Sequence, residues 1–144
     1  MFRRANVQAS GKLRPRALRD VRVGYPVRPA STRLQMTVLL CHCTCPDAAT
    51  AKSIATALVE ERLAACASVQ PGVGSVYRWQ GRVETAEEVL LAVKTTRDRF
   101  EALAQRIQAL HPYEVPEILA FEAAAGSPAY LDWVVAETRA ETVS

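Results

Sequence analysis

Two stretches of this chain repeat one plan: a short apolar run, a Thr-x-x-Asp signal, then apolar residues at helical spacing. The first run is residues 36–43 (MTVLLCHC), followed by Thr44-x-x-Asp47. The second is residues 88–95 (EVLLAVKT), which ends in Thr95-x-x-Asp98. Short apolar runs of this kind read as strands, and Thr-x-x-Asp resembles a capping box at a helix start. Ala51, Ile54, Ala55, Leu58 and Val59 give the first helix an apolar face, and it runs to about Ala64. Phe100, Leu103, Ala104, Ile107 and Leu110 do the same for the second. His111-Pro112 stops that helix, because a residue before proline is disfavoured in helical geometry.

Residues 65–70 and 75–80 are also extended in pattern, with Pro71-Gly72-Val73-Gly74 as a bend or bulge between them. Tyr77 and Trp79 share one face of that strand. Gly81 and the polar stretch to Glu87 read as a hairpin tip. Residues 117–123 form a fourth strand, and Ser127-Pro128 opens a last helix carrying Tyr130, Leu131, Val134 and Val135. The predicted order is therefore β-α-β-β-α-β plus a C-terminal helix: an α+β, ferredoxin-like domain over residues 36–144.

The strands are apolar on both faces. Val89, Leu91 and Val93 oppose Leu90 and Ala92, while Ile118 and Ala120 oppose Leu119 and Phe121. Two helices cover one face, and the last helix is expected to cover part of the other but is too poor in large apolar residues to cover all of it. Self-association is the expected cover.

Residues 1–35 differ in kind. They hold nine Lys/Arg and one acid, whereas residues 36–144 hold nine Lys/Arg and fourteen acids. The early segment lacks periodicity and reads as a disordered basic extension. Three roles stay open for it: a transit peptide, a tail for nucleic acid or acidic lipid, or upstream translation ahead of a true start at Met36, the last being favoured. The acidic body gives no reason to expect a nucleic-acid partner. No run reaches the ~18 apolar residues of a membrane span.

Chemistry concentrates in two places. Cys41-His42-Cys43 with Cys45 lies where the first strand ends, and Cys66 begins the second strand. On a strand Cys41 and Cys43 share a face and His42 points away, so chelation of one ion by all three is geometrically poor, and the spacing fits no zinc ribbon. Cys41 and Cys66 read as core thiols. Cys43 and Cys45 are expected to enter the loop before a helix N-terminus, which exposes a thiol and lowers its pKa. The second place is residues 111–117 (HPYEVPE), a stiff loop with two prolines around His, Tyr and two acids. It reads equally as a rigid connector and as a positioner of polar groups. There is no Gly-x-Ser-x-Gly, P-loop or Gly-x-Gly-x-x-Gly, and only two histidines, so catalysis is not expected.

Cys43-Thr44-Cys45-Pro46-Asp47, Leu63-Ala64-Ala65-Cys66, Ser75 to Gly81 (SVYRWQG), Lys94-Thr95, residues 111–117 and Tyr130-Leu131-Asp132-Trp133 together resemble the divalent-cation tolerance proteins of the CutA family. The likeness spans residues 36–144. It implies a homotrimer built like the PII signalling proteins and a cytoplasmic role in the response to divalent metals, copper being the usual ion. It implies Cys43 and His111 as metal ligands. Some members have a second His where this chain has Leu110. Cys45 stands where Ala is commoner, either as an extra ligand or without a role. The alternative expectation is a PII-like signalling trimer. Its inter-subunit clefts would hold a small effector or protein partner at Tyr77, Trp79 and the 111–117 loop.

Overall fold

The computed structural model describes residues 36–141, so the expectations for residues 1–35 lie outside it. Strand β1 (Val38–Cys45) leads into helix α1 (Ala48–Glu60), then strands β2 (Cys66–Trp79) and β3 (Arg82–Thr96). Helix α2 (Arg97–Leu110), strand β4 (Leu119–Glu122) and helix α3 (Pro128–Glu137) follow. The sheet order is β2-β3-β1-β4, and each neighbouring pair is antiparallel. Strand β3 thus fills the gap left by the β1-α1-β2 crossover, the split βαβ arrangement expected from the sequence.

The register divides the sheet into two faces. Cys41 lies opposite Val93, Cys43 opposite Leu91 and Cys45 opposite Val89. These side chains pack with Ile54 and Leu58 of α1 and Leu103 and Ile107 of α2 in the main core. On the other face α3 brings Val134 and Val135 against Val38 and Ala65. Arg62 steadies this helix by donating to the carbonyls of Ala136 and Arg139 at its C-terminal end. Helix α3 covers part of the second face, as expected. Leu119 and Phe121 stay 51% and 49% exposed, with the His42 ring edge-on to Phe121 at 5.6 Å.

Several local expectations are corrected. Strand β1 runs two residues further than read, because Thr44 and Cys45 still pair with Leu90 and Val89. Asp47, not Thr44, caps α1, its carboxylate accepting the Thr50 N–H at 2.7 Å. Helix α2 is capped at Thr96 without a side-chain cap bond, and Asp98 falls in its first turn. The two Thr-x-x-Asp signals therefore work differently. The β2–β3 hairpin closes through Gln80-Gly81 alone, with Trp79 paired to Arg82. Both turn residues have positive φ, 47° and 79°, the two-residue geometry that follows strand twist. Residues 82–87 are thereby strand rather than tip.

The bulge expected near Pro71-Gly72 is present as a register shift between Gln70 and Val73. Val59 is 41% exposed rather than core, and Leu110 is exposed too, so each helical stripe is narrower than its spacing suggested. Cys66 is half-buried rather than core, its thiol 3.5 Å from the Tyr130 hydroxyl.

Candidate metal centre

Alternation along β1 puts Cys43 and Cys45 on one face, and the register sets both under the helices, where neither is exposed. Helix α2 delivers the third group. Its last N–H bond runs from His111 to Ile107 at 2.8 Å, after which the backbone turns extended ahead of Pro112. That turn carries the His111 ring over the end of β1, where Nε2 lies 2.8 Å from the Thr44 carbonyl. The donor atoms of Cys43, Cys45 and His111 then lie within 4.8 Å of one another, all three residues buried. The two residues singled out in the sequence meet within one chain, and Cys45 joins them.

The hydrogen bonds assign the imidazole tautomer. The Tyr113 backbone N–H donates to Nδ1 at 3.0 Å, so Nδ1 is the acceptor. A carbonyl can only accept, so Nε2 carries the proton and donates to Thr44. An ion that took Nδ1 would displace the Tyr113 N–H and leave the Nε2–H···O=C bond in place, the outer bond that orients ligating histidines elsewhere.

The expectation of an exposed, lowered Cys43 thiol is overturned. Its hydrogen bond to Cys45, and then burial, push the Cys43 thiol well above its ordinary value. The same bond lowers the Cys45 thiol, which receives it. Cys41, one strand step further in, is pushed up to about 11, chiefly by burial. The physical cause is the longer strand, which keeps Cys43 and Cys45 facing the core instead of releasing them into a loop.

Two sulfurs and one imidazole nitrogen at this separation fit a single soft or borderline ion. Protein bonds from such donors to zinc run about 2.0–2.3 Å. With both thiols deprotonated, a divalent ion makes the buried cluster neutral, the least costly charge state in a dry site.

The Tyr113 ring lies against the His111 ring, centroids 4.7 Å apart. Its hydroxyl donates to Glu88 Oε1 at 2.9 Å, and Ser75 Oγ donates to Glu88 Oε2 at 2.7 Å. Burial and the Glu88 bond push the Tyr113 hydroxyl up to about 12. Sequence reasoning missed Glu88. Its signal was an acid at the head of an apolar strand, which reads as an ordinary strand end. These residues border a cavity that also takes in Tyr77, Trp79 and the loop after His111.

An antiparallel split-βαβ sheet with a dithiol–imidazole cluster at the end of its central strand defines a ferredoxin-like domain with a candidate metal centre. The family model for CutA1 divalent ion tolerance protein matches residues 39–137. The chain is 55% identical over 91 residues to the divalent-cation tolerance protein CutA of Thermus thermophilus, covering 63% of this chain and 88% of that protein. It is 41% identical over 127 residues to protein CutA of Mus musculus, covering 85% and 72%. Among solved structures, Thermus thermophilus CutA1 superposes with a TM-score of 0.70 at 50% identity, covering 71% of this chain and 99% of that one. CutA of Xylella fastidiosa gives 0.69 at 45% identity, covering 71% and 98%. The chain belongs to the CutA1 divalent ion tolerance family.

Proposed function

We propose that this protein is a trimeric, non-enzymatic binder of divalent metal ions, copper foremost, acting in the cytoplasmic response to excess metal. Its ligands are Cys43, Cys45 and His111. The observation that carries the reading is the convergence of three buried soft donors within 4.8 Å. Sulfur-rich donors favour copper and zinc over magnesium and calcium. Free thiols suit a reducing compartment, and the uncovered apolar sheet face suits a trimer interface.

Native mass spectrometry of the full chain, purified metal-free under reductant and given limiting copper or zinc, tests this. The expected result is a trimer with one ion per subunit that survives a competing chelator. The Cys43→Ala/His111→Ala double variant should lose the ion and keep the trimer. Equal uptake by both proteins would refute the site. Uptake should also weaken as pH falls from about 8 to 5, because each thiol must shed its proton to bind and Cys43 holds its proton tightly.

A second reading has its own support. The cavity brings Tyr77 and Trp79 together with the 111–117 loop, the grouping that an effector cleft in a PII-like signalling trimer would use.

A further inference from the structure

The cavity beside the metal centre has a volume of about 790 Å³, within the usual range for a small-molecule site. Tyr77, Trp79 and Tyr113 give it aromatic walls. Four carboxylates line it, Glu84, Glu88, Glu114 and Glu117, against one cation, Arg78.

Glu88 decides the chemistry. It is 7% exposed, and its two oxygens accept from the hydroxyls of Ser75 and Tyr113. Both donors are neutral, and among the described residues no Lys or Arg forms an ion pair with it. A buried carboxylate is costly until positive charge reaches it. The hydroxyls hold Glu88 in place without supplying that charge, so the cavity presents a fixed, buried acid beside its aromatic walls.

We infer that this cavity binds a small organic cation, an alkylammonium or guanidinium compound whose charged group meets Glu88 and whose carbon chain lies along Trp79 and Tyr77. The inference rests on the effector-cleft reading above and adds the ligand's charge class. An anionic effector would face four carboxylates with one arginine to offset them. A hard divalent ion would want six or more oxygen ligands, whereas the aromatic walls offer ring faces, which attract organic cations.

The test is fluorescence titration of the full chain carrying Trp133→Phe, so that Trp79 reports alone. The probes are 1,4-diaminobutane and agmatine, with glutarate, ATP and magnesium chloride as contrasts. Both amines should give a saturable change in Trp79 emission, and the contrasts should give none. Glu88→Gln keeps the shape and removes the charge, and should weaken amine binding by about tenfold or more. If that variant unfolds by circular dichroism, Glu114→Gln/Glu117→Gln on the exposed rim should still weaken it measurably.

Three results would overturn the inference in distinguishable ways. Saturation by glutarate or ATP but not by the amines refutes the charge class and leaves the cleft reading standing. Saturation by magnesium alone replaces the organic cation with a metal ion. Silence from every probe refutes the organic-cation inference and leaves the cleft reading to a protein partner.

Discussion

Tyr113 belongs to both functional regions, with its backbone N–H on His111 and its hydroxyl on Glu88. Removing that hydroxyl leaves a buried carboxylate with one partner, Ser75. Tyr113→Phe should therefore cost about 1–3 kcal/mol of stability, read from urea denaturation at neutral pH. The same residue sets an alkaline limit. Its folded hydroxyl is raised to about 12, whereas an unfolded tyrosine titrates near 10. The stabilisation is complete below the unfolded value and is lost as pH rises from about 10 to 12. Tyr113→Phe should flatten that fall, while Tyr77→Phe should not.

Two elements owe their ends to one residue each. The Asp47 carboxylate, bonded to the Thr50 N–H, is held below the usual carboxylate range. Its contribution is present above the unfolded pKa and is lost as pH falls through the lower folded value. Asp47→Ala should lower the melting temperature at neutral pH, and Asp47→Asn should keep the cap while removing its acid dependence. At the hairpin, Gly81 holds φ at 79°, a conformation that β-branched side chains resist. Gly81→Val should destabilise the hairpin by about 1 kcal/mol or more. Hydrogen exchange should show the loss first at Arg78 and Val83, the pair next to the one that closes the turn. The opposite test is Gln80→Asn, which suits the positive φ of 47° and should be neutral or stabilising.

For the whole molecule, the apolar side chains left uncovered on the second sheet face are the most consequential feature. Leu119 and Phe121 flank His42 there, beyond the reach of α3. If subunits associate through this face, Phe121→Asp should shift the protein to monomers in analytical ultracentrifugation. The wild type's melting temperature should then fall on dilution, and the monomeric variant's should not. An unchanged sedimentation coefficient would place the interface elsewhere.

Element order and sheet class were legible in the chain itself. Strand and helix periodicities are local, and the runs MTVLLCHC and EVLLAVKT each state theirs within a few residues. The same alternation put Cys41 opposite His42, and the paired prolines marked the 111–117 loop as stiff. Strand ends were not legible, because β1 gains Thr44 and Cys45 only through partners nearly fifty residues away in β3. The hairpin tip was misread for a related reason, since residues 82–87 are polar and become strand only by pairing with β2. The site divides in the same way. Sequence supplied Cys43 and His111 through resemblance to a family. Tertiary structure alone brought Cys45 within reach of both, buried the thiols and raised the Cys43 proton affinity. It also placed Glu88 under the hydroxyls of Ser75 and Tyr113. Burial, donor spacing and charge compensation depend on which distant segments share one face of the sheet, and no local pattern encodes that.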